Sequence, residues 1–81
     1  MTTIIGIKIN NRLENAISVQ EILTKYGCLI KTRLGLHEEN NGKCSPTGLI
    51  LLEIIDDKAA INIANELCDI DEIEIQQMRF N

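Results

Sequence analysis

Residues 48–55 are apolar in both of the alternating phases that a β-strand presents. A half-buried strand alternates apolar and polar residues, whereas a strand that is apolar in both phases is usually buried on both faces. The first phase is Ile50, Leu52 and Ile54, and the second is Leu49, Leu51 and Ile55, with Glu53 among them. This strand therefore needs an apolar neighbour on each of its two sides.

The rest of the chain supplies little material for a large core. Its 81 residues include only two aromatics, Tyr26 and Phe80, so the core must come mainly from fifteen isoleucines and nine leucines. A domain of this size buries only about 60–65% of the surface that the unfolded chain exposes. We therefore expect a metal, a disulfide or a second chain to reinforce the fold.

Hydrophobic periodicity predicts six elements in one domain spanning residues 1–81. Strands are expected at residues 3–10, 28–36, 48–55 and 72–80, the last with a bulge near Gln76 and Gln77. One helix starts at a capping box formed by Asn11 and Glu14 and ends at Gly27, and a second follows Asp56 and Asp57. Residues 37–47 are the most polar stretch and read as a long, exposed hairpin connection.

The resulting order is βαββαβ. With right-handed crossovers it most simply gives an α+β ferredoxin-like fold, in which a four-stranded antiparallel sheet carries both helices on one face. The first and third strands are the central pair of this sheet. Residues of their outward phases then cluster on the uncovered face, and we predict an interface for a homodimer or homotetramer formed by Ile4, Leu49, Leu51 and Ile55.

Composition argues against several classes of function. A net charge of −4 and two aromatics provide neither a basic surface nor a stacking platform, so direct nucleic-acid binding is not expected. No apolar stretch approaches the roughly 20 residues that span a bilayer, and the first residues lack the features of a secretory signal, so a cytoplasmic location is expected. No catalytic signature is present, which predicts that the protein is not an enzyme.

His37 and Cys44 are the residues with the clearest capacity for chemistry. They stand at the two ends of the polar 37–47 segment, and a hairpin that joins these ends can bring an imidazole and a thiolate within metal-ligand distance, with Glu38 or Glu39 as oxygen donors. A symmetric oligomer can complete such a transition-metal site. The alternatives are a solvated loop without metal and a redox-sensitive thiol.

The remaining candidates have simpler explanations. Three cysteines without a close-spaced pair indicate free thiols, and Cys28 and Cys68 fall in apolar phases that predict small buried side chains. Lys31 and Arg33 lie on the wetter phase of the second strand, where they can hold an anionic ligand or pair with surface carboxylates.

Several short motifs resemble the iron-only hydrogenase system regulator family. They are I-I-G-I-K-I at residues 4–9, N-R-L-E-N at 11–15, I-K-T-R-L-G-L at 30–36, G-L-I-L-L-E-I at 48–54 and I-E-I-Q at 73–76. The resemblance implies a ferredoxin-like fold similar to ACT domains and to the C-terminal domain of nickel-responsive repressors. These relatives oligomerise and bind small ligands or metal ions.

The chain departs from the nickel-repressor pattern, because that metal site uses several histidines and a cysteine, whereas here only His37 and Cys44 are available. Two hypotheses follow. The first is a non-enzymatic, homo-oligomeric regulatory or ligand-sensing domain connected with hydrogenase or metal physiology, acting through a small ligand or a partner protein. The second is a metal-binding or redox accessory protein that uses His37 and Cys44.

Overall fold

The fold has the predicted order of elements. A computed structural model describes the backbone of every residue except 11, 41 and 42, and the side chains of residues 1–10, 15–36 and 48–81. A 3₁₀ turn, Gly27–Leu29, precedes the second strand. The main elements are β1 (Thr2–Ile9), α1 (Arg12–Lys25), β2 (Ile30–Asn40), β3 (Lys43–Ile54), α2 (Asp57–Leu67) and β4 (Ile73–Phe80).

The four strands form one antiparallel sheet in the order β2-β3-β1-β4. β1 and β3 are central, as the predicted topology requires. Both helices contact each other and the same two central strands, so they cover one face of the sheet. The prediction of an α+β ferredoxin-like fold is confirmed, and the other face, which we call the outer face, is left without a covering layer among the described residues.

The core lies between the helices and the inner phase of the sheet. Alternation along β1 and β3 sends one apolar series inward, where it meets the apolar face of each helix. The fully or almost fully buried residues are Ile5, Ile7, Ile9, Val19, Leu23, Ile50, Leu52, Ile54, Ala59, Ala60, Ile63 and Leu67. No aromatic side chain is among them; Tyr26 only packs against the edge of this cluster.

Local sequence explains where α2 begins. The Asp56 side chain accepts hydrogen bonds from the backbone N–H groups of Lys58 at 3.0 Å and Ala59 at 3.4 Å, which satisfies donors that have no partner inside the helix. The predicted N-terminal cap is therefore present. The capping box predicted for α1 falls on Asn11 and Glu14, which lie outside the residues whose side chains are described.

The connection between β2 and β3 is much shorter than predicted. Instead of a loop over residues 37–47, the two strands continue to pair as far as Asn40 opposite Lys43, and Pro46 lies within β3 rather than ending it. The physical reason is that backbone pairing in an antiparallel hairpin does not require apolar side chains, so polar residues extend the ladder. Only residues 41 and 42, which lie outside the described residues, separate the strands.

One prediction about strand pairing was wrong. β4 pairs with β1 without interruption from Ile73 to Phe80, so the bulge expected near Gln76 and Gln77 is absent. The pairing of β2 with β3 is irregular instead, with register shifts between Ile30 and Thr32 and between His37 and Glu39. The first shift places one extra residue in β2, so Leu34 and Leu36 lie on the face opposite to that of Ile30.

The two described cysteines are exposed rather than buried. Cys28 belongs to the 3₁₀ turn, not to β2, and so does not share the inward phase that alternation assigned to it. Cys68 is the C-cap of α2 and lies beyond the last buried residue of that helix, Leu67. Cys28 thus lies two residues before β2 begins, and Cys68 lies one residue after α2 ends. Both positions are exposed to solvent.

None of the helices in the described part of the chain is both long and apolar enough to cross a membrane.

Candidate functional site

The outer face of the sheet is a regular array of side chains whose positions follow from strand register. Residues directly opposite each other on neighbouring antiparallel strands project from the same face. Reading across β2, β3, β1 and β4, the upper row is Leu36, Leu49, Lys8 and Glu74, the middle row is Leu34, Leu51, Gly6 and Gln76, and the lower row is Thr32, Glu53, Ile4 and Met78. Below them, Thr2 pairs with Phe80 on the last two strands.

Apolar side chains occupy much of this array and remain largely uncovered. Leu34, Leu36, Leu49, Met78 and Phe80 are each between 39% and 57% exposed. Ile4 and Leu51, on the two central strands, are half-buried by these neighbours. Scattered apolar residues are ordinary on protein surfaces, but a contiguous patch across a whole sheet marks an interaction surface.

Three of the four residues predicted for an interface lie on this face, namely Ile4, Leu49 and Leu51. The fourth, Ile55, follows the end of β3 at Ile54, and its exposed side chain lines a hollow with Cys28 and Leu29.

Four apolar residues of the outer face were missed by sequence reasoning: Leu34, Leu36, Met78 and Phe80. The alternation of Leu34 and Leu36 was visible, but the shift after Ile30 decides that these leucines face outward while Ile30 packs against the core. Met78 and Phe80 were placed in the phase of Ile73 by the bulge that does not exist. If β4 is read with uninterrupted alternation, as β1 is, Met78 and Phe80 fall on the outer face.

A groove crosses the centre of the outer face at Gly6. It has a volume of about 350 Å³ and almost entirely apolar walls, and its lining includes Ile4, Leu51 and Met78, with Lys8 and Glu74 at one end. A Cβ atom at position 6 would meet Leu51 Cδ2 at 3.6 Å and the Gln76 carbonyl oxygen at 3.9 Å. These are ordinary contacts, so the glycine leaves space on the face and does not relieve a clash.

Polar groups occupy two opposite corners of the array. Lys8 lies opposite Glu74 in the upper row. At the diagonally opposite corner, Glu53 accepts a hydrogen bond from Thr32 Oγ1 at 2.8 Å, and its second carboxylate oxygen lies 3.8 Å from Lys31 Nζ. The outer face therefore has charged corners on either side of an apolar band.

A carboxylate joins the two helices on the other side of the molecule. Glu66 of α2 accepts hydrogen bonds from Lys25 Nζ at 3.0 Å and from the Tyr26 hydroxyl, both at the C-terminal end of α1. The Tyr26 bond is the main reason, and the Lys25 bond the second, that the pKa of Glu66 lies below its ordinary value. The same hydrogen bonds to Glu66 raise the pKa of Tyr26 and of Lys25. This cluster ties α1 to α2.

The basic residues considered for an anionic ligand are paired with polar neighbours. Arg33 faces the helices and donates a hydrogen bond from Nη2 to Gln20 Oε1 of α1. Lys31 forms the ion pair with Glu53. Each of these two basic side chains therefore interacts with a polar side chain of its own chain.

The predicted metal ligands lie in the long hairpin. The strand ladder pairs His37 with Gly48 and Cys44 with Glu39, so the two residues are not directly opposite each other, and three residues of β3 separate Cys44 from the partner of His37. The side chains of residues 37–47, including Glu38, lie outside those described. Elsewhere, the described residues contain no group of three or more histidine, cysteine, aspartate or glutamate side chains able to hold a metal ion. The His37 and Cys44 site stays a prediction.

Comparison with known proteins supports the fold and goes no further. No protein-family model matches the chain, and no curated protein matches it. Among solved structures, uncharacterized protein TM1266 from Thermotoga maritima is similar over 99% of this chain and 96% of its own, with a TM-score of 0.82 and 17% sequence identity.

A second similar structure is a formyltetrahydrofolate deformylase from Pseudomonas putida KT2440, with a TM-score of 0.58 and 13% identity. The match covers 99% of this chain but only 29% of the deformylase. This fold therefore also occurs as one part of a longer protein.

Proposed function

We propose that the protein is a non-enzymatic regulatory or ligand-sensing domain that works as a homo-oligomer, with two copies joined through their outer faces. The observation that supports this is the apolar band that crosses all four strands of the uncovered face. A sheet with one face on the core and one in water normally shows polar residues on the wet face. The outer face departs from that pattern in each strand.

The free energy available from this face is comparable with the cost of association. Full burial of a leucine or phenylalanine side chain contributes about 1.5–3 kcal/mol, and five apolar residues of the outer face are roughly half exposed. Burying these five in both copies therefore contributes on the order of 8–15 kcal/mol, compared with an association cost of about 4–15 kcal/mol. The small aliphatic core gains a second layer at the same time.

The regulatory part of the proposal is supported by the resemblance to the iron-only hydrogenase system regulator family and by the lack of a catalytic constellation in the sequence. A domain of this kind, located in the cytoplasm, would act by binding a small ligand or a partner protein once the oligomer has formed. The hydrogenase connection is a proposal that follows from the sequence motifs alone.

Leu51→Glu tests the oligomer directly. Leu51 lies at the centre of the outer face, so a carboxylate there would be buried without a partner in a face-to-face dimer. We expect the wild-type protein to sediment as a dimer or tetramer at micromolar concentration and the variant to sediment as a monomer. Ile17→Glu is the matched control, because Ile17 is 70% exposed on α1 and lies away from the outer face. A monomeric wild-type protein would refute the proposal.

A further inference from the structure

The apolar residues of the outer face follow a diagonal. From β2 through β3 and β1 to β4, one row lower at each strand, the residues are Leu36, Leu51, Ile4 and Phe80. One side of this apolar diagonal carries Lys8, Glu74 and Gln76. The other carries Thr32 and Glu53. A surface with this pattern is self-complementary only in particular orientations.

In a face-to-face dimer the two-fold axis lies between the sheets, parallel to their planes, and it determines which residues meet. An axis along the strands, midway between β3 and β1, places Leu49 over Lys8 and Leu36 over Glu74, which buries charge against leucine. An axis across the strands, along the middle row, places Leu49 over Glu53 and Ile4 over Lys8. Both arrangements bury unpaired charge against apolar side chains, which is costly.

The two diagonal axes match apolar residues with apolar residues. The axis along the other diagonal, which runs through Glu53, Gly6 and Glu74, however, places Glu53 over Glu53 and Glu74 over Glu74, so identical carboxylates repel each other across the interface. The axis along the apolar diagonal places Leu36, Leu51, Ile4 and Phe80 each against its own copy and Leu34 against Leu49. Of these four axes, only this one avoids both charge over leucine and carboxylate over carboxylate.

We infer that two copies pack outer face to outer face about an axis along the apolar diagonal, and that Glu53 of the partner subunit enters the Gly6 groove beside Lys8. With strands about 4.8 Å apart and about 6.8 Å between rows, the strands of the two sheets then cross at about 70°. This angle is closer to orthogonal sheet packing, at about 90°, than to aligned packing, at about 30°. The inference rests on the proposed function and specifies the geometry of its interface.

The groove offers a carboxylate both space and one cation. Gly6 leaves about 350 Å³ of space, and the exposed Lys8 side chain at its end forms no ion pair with any described residue. Glu53 Oε1 can keep its hydrogen bond from Thr32 while Oε2 exchanges its 3.8 Å contact with Lys31 of its own chain for Lys8 of the partner subunit. A buried carboxylate is stable only with such a cation and hydrogen bond, so the pair selects the partner's orientation.

A charge-swap experiment tests this contact. Lys8→Glu and Glu53→Lys are made separately, and each is expected to weaken self-association by roughly tenfold or more, because each puts two like charges in the groove. When the two variants are mixed, both grooves of the heterodimer contain one lysine and one carboxylate. We expect sedimentation or native mass spectrometry to show that the mixture restores the dimer.

Mixing the two variants tests the contact between copies separately from contacts within one chain. A carboxylate at position 8 also lies opposite Glu74 in its own chain, but mixing cannot relieve repulsion within a chain. Circular dichroism of each variant checks that it is folded, and a chain carrying both substitutions is expected to self-associate like the wild type.

A wild-type dimer whose variants are weakened but not restored by mixing would overturn this orientation while leaving the outer-face dimer intact. A monomeric wild type would overturn both.

Discussion

Gly6 lies directly opposite Leu51 across the two central strands, and a Cβ added to Gly6 would meet Leu51 Cδ2 at 3.6 Å. Because this is an ordinary contact distance, Gly6→Ala is expected to fold normally and to be up to about 1 kcal/mol more stable. Gly6→Leu would instead fill the groove. We expect Gly6→Leu to stay folded but to lose self-association, as measured by thermal denaturation and sedimentation; equal association of Gly6→Leu and wild type would show that the groove is not used.

A prediction about the hydrophobic core compares two isoleucines of α2. Ile63 is fully buried between α2 and the sheet, whereas Ile61, two residues earlier, is 51% exposed. Ile63→Ala removes packed atoms and leaves a cavity, so the free energy of unfolding should fall by about 3 kcal/mol. Ile61→Ala should change it by less than about 0.5 kcal/mol. Urea denaturation of the two variants measures both, and similar losses would contradict the packing described.

The Glu66 cluster predicts a pH dependence. Since its pKa is lowered by the hydrogen bonds from Tyr26 and Lys25, the folded state favours the carboxylate. This stabilisation is present above the pKa that Glu66 has in the unfolded chain and is lost as pH falls through its folded pKa. The raised pKa values of Tyr26 and Lys25 have the opposite sign, so their contribution is lost as pH rises through their folded values.

At neutral pH, therefore, Glu66→Gln should be less stable than the wild type, and the difference should shrink as the pH is lowered into the acidic range. Thermal denaturation from pH 7 to pH 3 measures this. Glu21→Gln, on the exposed side of α1, is the control. A difference that stays constant with pH would show that the carboxylate charge does not contribute.

The cysteines offer a test by chemical labelling. Cys28 and Cys68 are exposed, so both are expected to react with a thiol reagent in the folded protein at rates close to those in denaturant. Mass spectrometry of the labelled peptides separates them from Cys44. Labelling that requires unfolding would mean that these thiols are buried, as apolar phase alone had indicated.

Local sequence patterns were sufficient for the architecture. Alternation in β1 and β3, helical spacing in α2 and the cap at Asp56 are short-range signals, and the fold that they predict is the one observed. They also identified Ile4, Leu49 and Leu51 for the outer face, because the central strands alternate without interruption. The β2–β3 hairpin was predicted less well, since polar residues there extend a ladder that depends on backbone pairing.

The sequence by itself determined that the chain would form a small aliphatic α+β domain with an apolar central strand. Only the tertiary structure decided which residues share the outer face. A register shift after Ile30 directs Leu34 and Leu36 outward, and uninterrupted pairing with β1 directs Met78 and Phe80 outward as well. The physical reason is that the side-chain period of a strand is two, so one inserted or missing bulge moves every following residue to the opposite face.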